Sequence, residues 1–107
     1  MEDTGKLILE YLKDYHKSED TALRAVEVRE LFTLKDRQVR NIVSRLRQEE
    51  EPICSSEAGY WYSKNPEDIE KTLRRLEGQV RNMNCSIEGL KQVLKEITQD
   101  EDHNSYY

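Results

Sequence analysis

Apolar residues return along this chain at helical spacing in four stretches and at strand spacing in one. In residues 4–17, Leu7, Ile8, Tyr11, Leu12 and Tyr15 alternate with Lys6, Glu10, Lys13 and Asp14, which predicts an amphipathic first helix. The polar run 16–20 ends it. Residues 21–25 carry little pattern and read as an extended lead into a helix at about 26–32, with Val28, Leu31 and Phe32 as its stripe. A break at Thr33, Leu34 and Lys35 follows. Val39, Ile42, Val43 and Leu46 then predict a helix over 36–50, with Asp36 at its start as a cap or as an acid near the positive dipole end.

Pro52 disfavours helical geometry just before it and stops that helix. Two short runs, 53–55 and 60–63, flank a loop containing Gly59 and read as a hairpin. Alternation sends Tyr60 and Tyr62 to one face and Trp61 to the other. Asn65 and Pro66 mark a turn and a helix start. The strongest pattern comes last. Ile69, Leu73, Leu76, Val80, Met83, Ile87, Leu90, Leu94 and Ile97 step alternately by four and three. That repeat is a coiled-coil seam, with Leu73, Val80, Ile87 and Leu94 at a and the others at d. One long helix packed on its own domain is the alternative. The end of the chain, 99–107, is acidic and unpatterned and reads as a disordered tail.

Composition narrows the classes. The 107 residues carry a net charge of −5, and charged and apolar residues each make up 36%, so the chain is no nonspecific polycationic coat. No apolar run approaches the ~20 residues of a membrane span. The first five residues are acidic, with no apolar stretch behind a basic end, so no secretory signal is expected. Cys54 and Cys85 form no C-x-x-C pair, and a reduced cytoplasmic setting is expected. His16 and His103 stand apart from any second ligand, and no phosphate loop or catalytic spacing is visible. No metal, cofactor or enzymatic activity is expected.

Charge is unevenly placed. From Lys35 to Arg47, five cations (Lys35, Arg37, Arg40, Arg45 and Arg47) stand against Asp36 alone, so thirteen residues hold +4. Local basic density on one helix is the footprint of a phosphate-facing surface. With the apolar stripe turned inward, the other face carries Arg37, Gln38, Arg40, Asn41, Ser44 and Arg45. Arg pairs bidentately with guanine, and Gln or Asn with adenine. A plain solvated helix face is the competing reading.

The ordered set of residues 25–32, 34–47, 52–56 and 59–62 resembles the winged helix-turn-helix family of DNA-binding domains, in the form found in phages and prophages of Gram-positive bacteria. The resemblance rests on Ala25-Val26-Glu27-Val28-Arg29-Glu30-Leu31-Phe32, on Leu34 to Arg47, and on Pro52-Ile53 with Gly59-Tyr60-Trp61-Tyr62. It implies a mostly α fold with a small β-wing over residues 1–65, followed by a coiled-coil helix over 66–98. It also implies sequence-specific binding of double-stranded DNA by a dimeric transcription regulator, with helix 36–50 in the major groove. Arg37, Gln38, Arg40 and Asn41 are then base readers. Lys35, Ser44, Arg45, Arg47, Ser55, Ser56 and Lys64 are phosphate-contact candidates. Lys35 stands where the family often has Ser or Thr, and the wing loop carries Glu57 and no cation.

The seam implies a homodimer. Glu77 and Lys91 lie symmetrically about Asn84, so an antiparallel pair centred near 83–87 lets them meet, whereas a parallel pair offers no opposite charges. Two other readings stay open: a module that binds a host or phage protein through the seam or the winged domain, and a phage replication accessory that binds DNA.

Overall fold

The computed structural model describes residues 3–105, with side chains described through Gln99. The chain is mostly helical, with one small antiparallel sheet and a long last helix. In order, it forms α1 (Thr4–Tyr15), a 3-10 turn (Glu19–Thr21), α2 (Ala25–Phe32), α3 (Asp36–Gln48), β1 (Ile53–Ser56), β2 (Gly59–Tyr62) and α4 (Pro66–Ser105). It divides into two compact units, Met1–Leu73 and Arg74–Tyr107. The division falls inside α4, eight residues later than the expected boundary after residue 65. The reason lies in Asp68 and Thr72, which bond to the hairpin and bring the opening turns of α4 into the first unit.

The Asp3 carboxylate caps α1 by accepting the Gly5 N–H at 2.9 Å. The helix ends at Tyr15, two residues short of the expectation. His16 leaves helical geometry while its N–H closes the last turn on Leu12 O, and its ring Nδ1–H donates to Thr21 O. The stretch 21–25 is not a strand. It opens with the 3-10 turn, and only Leu23 pairs, exchanging two backbone bonds with Tyr60 at 2.8 and 2.9 Å.

Thr33 turns the chain between α2 and α3 in the left-handed region, at φ 54° and ψ 58°. α3 stops at Gln48 rather than at residue 50. Glu50 is left-handed at φ 70°, its N–H bonds Arg47 O, and the Glu51 N–H reaches back to Leu46 O, both at 3.0 Å. This paired closure is a Schellman ending, with glutamate where glycine is usual.

The three helices of the first unit enclose Ile8, Leu12, Val28, Val39, Val43 and Leu46, joined by Leu23 and Ile53. The strand register sets Ile53 opposite Tyr62 and Cys54 opposite Trp61. One hairpin face therefore lays Ile53, Tyr60 and Tyr62 on the helical core, and the other carries Cys54 and Trp61. Trp61 is 1% exposed, and its Nε1–H donates to Asp68 Oδ2 at 3.3 Å. The Ser55 N–H donates to Thr72 Oγ1 at 3.2 Å. Burial pushes the Cys54 thiol up from its ordinary pKa. Gly59 is required where the hairpin meets Leu23. Its φ is +129°, and a Cβ there would run into the Leu23 carbonyl.

Pro66 occupies the first position of α4, and Asn65 Oδ1 accepts the Glu67 N–H at 3.0 Å. The helix continues to Ser105, past the expected end at 98, so residues 99–105 of the expected disordered tail are helical. No Gly or Pro follows Gly89 to stop it. Tyr106 and Tyr107, the end of that tail, lie outside the described residues. From Arg74 onward α4 is a single helix with its apolar seam in solvent: Val80, Met83, Ile87, Leu90, Leu94 and Ile97 are all exposed. Among the described residues, no helix is long and apolar enough to cross a membrane.

Candidate nucleic-acid interface

α3 has two chemically distinct sides. Val39, Val43 and Leu46 are buried and Ile42 is half-buried, which fixes the helix on α1 and α2. The opposite side exposes Arg37, Gln38, Arg40, Asn41, Ser44 and Arg45. Periodicity alone produces this division. Residues 39, 42, 43 and 46 are spaced by three, one and three, so residues 40, 41, 44 and 45 turn outward.

The exposed side chains differ in what they already hold. Arg37, Arg40 and Asn41 make no hydrogen bond or ion pair with any described residue. They present flat arrays of donors, with an additional acceptor on Asn41. Gln38 is half engaged. Its Oε1 accepts the Lys35 N–H at 2.8 Å and caps the helix, which leaves its amide donors turned to solvent. A lysine side chain offers no acceptor, so only this half of a reciprocal capping box is made. The Lys35 ammonium itself is exposed at the start of the helix.

Toward the other end the engagements multiply. Ser44 Oγ accepts from Gln48 at 3.2 Å. Arg45 pairs with Asp3 at 3.0 Å and lies 4.0 Å from Glu49. The Asp3 carboxyl sits below its usual range, first because it accepts the Gly5 N–H and then because of Arg45. Arg47 is half-buried. Its Nε donates to Ile53 O at 2.8 Å and its terminal nitrogen to Ser55 Oγ at 2.9 Å. Arg47 and Ser55 thus tie α3 to β1 within the fold. Ser56 Oγ accepts the Ala58 N–H at 3.0 Å, and its hydroxyl holds the Glu19 carboxyl below its ordinary pKa, with Lys71 adding to the effect. The hairpin tip is Glu57 and Ala58, both exposed, and it carries no cation.

Lys64 is exposed. It lines an open depression with Lys13, Lys17, Tyr62 and Ser63, and the Lys13 ammonium lies 5.2 Å from the centre of the Tyr62 ring. Lys13 also borders Leu46 and Glu49, at the C-terminal end of α3. Arg37 and Arg40 sit in the first turns of that helix, so the first unit has two separate cationic regions. Sequence reading missed the second. Lys13 and Lys17 stand four apart within the helix expected over 4–17, but that helix ends at Tyr15 and nothing local brings Lys64 beside them.

At the corner between α2 and α3, Arg29 Nε lies 3.1 Å from Asp36 Oδ1, in a geometry that makes no hydrogen bond. The contact joins the two helices by charge alone. Among the described residues no group of His, Cys, Asp and Glu could hold a metal ion.

No family model, no curated protein and no solved structure matches this chain.

Proposed function

We propose that the chain is a non-enzymatic, sequence-specific double-stranded DNA-binding protein of winged helix-turn-helix type. In this reading it acts in the cytoplasm as a dimeric transcription regulator of the phage or prophage kind that its sequence resembles. One observation carries the proposal. The first turns of α3 expose Arg37, Gln38, Arg40 and Asn41 together, and the three with no role in the fold are two guanidinium groups and an amide. Those are the groups that read guanine and adenine edges in the major groove, and the N-terminal part of a recognition helix is where they act.

Lys35 supplies a phosphate contact beside them. Ser44 and Arg45 take secondary positions, since each already has a partner. The cation-free tip of the hairpin removes the usual minor-groove contact of a wing, so affinity rests on α3 and on doubling the site. The exposed seam of α4 provides the doubling by joining two copies, and two-fold symmetry suits a palindromic site.

The seam also favours a second reading, in which α4 binds a different protein and DNA contact is incidental. A fluorescence-anisotropy titration separates the two. A duplex from the gene's own upstream region is compared with a scrambled duplex at low and near-physiological salt. Preference for the native duplex that survives moderate salt supports the DNA reading. Equal, weak binding that vanishes with salt is phosphate attraction alone and supports the second.

A further inference from the structure

The apolar stripe of α4 lies in water along most of its length. Leu73 is 51% exposed, Val80 56%, Met83 65%, Leu90 70% and Leu94 65%. We propose that a second copy of the same helix covers it, running antiparallel, with the two-fold axis at Cys85. The inference deepens the self-association in the reading above and rests on that part of it alone.

Three observations choose the occupant and its direction. The first is register. With residue 85 on the axis, Val80 meets Leu90 of the second copy, Met83 meets Ile87, and the pairing continues outward until Leu73 meets Ile97. Ile69 is left out, and Ile69 is already half-buried within the first unit. A slip of one heptad keeps as many apolar layers in one direction only by drawing on Ile69, and has fewer in the other. One slip needs Ile69 and sets Ile97 against Pro66; the other sets Leu73 and Leu76 against Asn104 and Glu101.

The second is side-chain shape. Parallel two-stranded coils favour β-branched residues at a and Leu at d. The two ends of this seam carry the reverse, with Leu73 and Leu94 at a and Ile69 and Ile97 at d. A parallel pair stacks each residue on its own kind, and so sets Ile against Ile at d. The antiparallel pair sets an a residue against a d residue in each layer, and no layer then holds two β-branched side chains.

The third is charge. Glu77 and Lys91 both flank the seam at e, on opposite sides of the centre, and meet across an antiparallel pair twice. A parallel pair brings the acidic run 100–102 beside its own copy. The antiparallel register sets it opposite residues 68–70, where Asp68 and Glu70 are acidic too, so this run favours neither direction and Glu77 with Lys91 carries the choice. Exposed pairs contribute little energy, so charge selects direction here while the apolar layers supply the association.

The test uses full-length chains carrying Cys85→Ser. Val80→Cys and Leu90→Cys chains are prepared separately and as a mixture, and oxidised under mild conditions. In the antiparallel pair the two Val80 positions lie about 15 Å apart along the coil, at 1.5 Å per residue. That is beyond the ~7 Å Cα separation a disulfide spans. The expected result is a covalent heterodimer in the mixture and no cross-link in either chain alone. As a second readout that leaves the seam intact, a spin label at Gln99→Cys is expected to report a separation of about 42 Å along the coil. Self-cross-linking of either variant overturns the proposal. So does a label separation near ~20 Å, about two helix diameters. A wild-type mass by light scattering that is not twice the chain mass overturns it as well. None of these readouts involves DNA, so failure here is distinct from failure of the DNA reading.

Discussion

Arg47 and Ser55 bond to each other at 2.9 Å across the junction of α3 and β1, while the same guanidinium donates to the Ile53 carbonyl at 2.8 Å. A cation of the basic helix thus also braces helix and hairpin. Arg47→Ala is expected to lower unfolding free energy by about 2 kcal/mol, the scale of losing charged hydrogen bonds at a half-buried site. Arg47→Lys is expected to recover less than half of that, because an ammonium lacks the fork that meets both oxygens. Urea denaturation of the three chains checks this, and an unchanged midpoint in Arg47→Ala contradicts it.

Gly59→Ala is expected to be the more damaging change. The position combines φ +129° with the Leu23 carbonyl where a Cβ would stand, so the hairpin has to part from Leu23. A loss of roughly 2–4 kcal/mol follows from strain together with the broken bridge. Thermal unfolding measures it, and a fall within the ±0.5 kcal/mol typical of surface changes speaks against the required close approach.

Glu50→Gly is expected to act in the opposite direction. Glu50 sits at φ 70° in the Schellman closure of α3, where glycine has no Cβ penalty. A gain of about 0.5–1 kcal/mol is expected, reduced by the greater freedom glycine gives the unfolded chain. A lower melting temperature in this variant contradicts the assigned geometry.

Stability is expected to fall on the acid side. The carboxyls of Asp3, Glu19 and Glu27 all titrate below their ordinary values, held chiefly by the Gly5 N–H, the Ser56 hydroxyl and Arg24 respectively. A depressed folded-state pKa contributes stability that is present above the unfolded value and lost as pH falls through the folded one. The loss therefore begins near the ordinary 4.5 of Glu and 3.8 of Asp and grows below them. Melting curves from about pH 6 to pH 3 test this against the Asp3→Asn, Glu19→Gln, Glu27→Gln triple variant. The variant is expected to show a shallower acid limb, and the same slope in both chains contradicts the assignment.

Much of the fold was legible in the sequence because periodicity is a direct record of burial. The stripe Val39, Val43 and Leu46, the opposite facing of Trp61 and the tyrosines, and Pro66 at the start of α4 all follow from spacing or from one residue's geometry. What was illegible lacked a local signal. Thr33 and Glu50 take left-handed conformations usually marked by Gly or Asn. His16 ends α1 through a contact with Thr21, five residues on. The candidate site divides the same way. Outward facing of Arg37, Gln38, Arg40 and Asn41 could be read from the helix period, but the engagement of Arg47 with Ser55 and of Arg45 with Asp3 could not. Charge identifies a cation without naming its partner.

Whether the first turns of α3 read DNA is decided by one comparison. The duplex that the wild-type chain enriches from a random pool is titrated by anisotropy against three chains: wild type, Arg37→Ala/Arg40→Ala, and Lys13→Ala/Lys17→Ala. All are first shown to melt alike. The arginine pair is expected to cost at least ~30-fold in affinity, at about 1–3 kcal/mol per bidentate contact, and to relax preference for the enriched sequence. The lysine pair, at the far end of the unit, is expected to change affinity only a few-fold. A folded arginine variant that binds like wild type, or a wild-type chain that enriches no sequence at all, contradicts the claim.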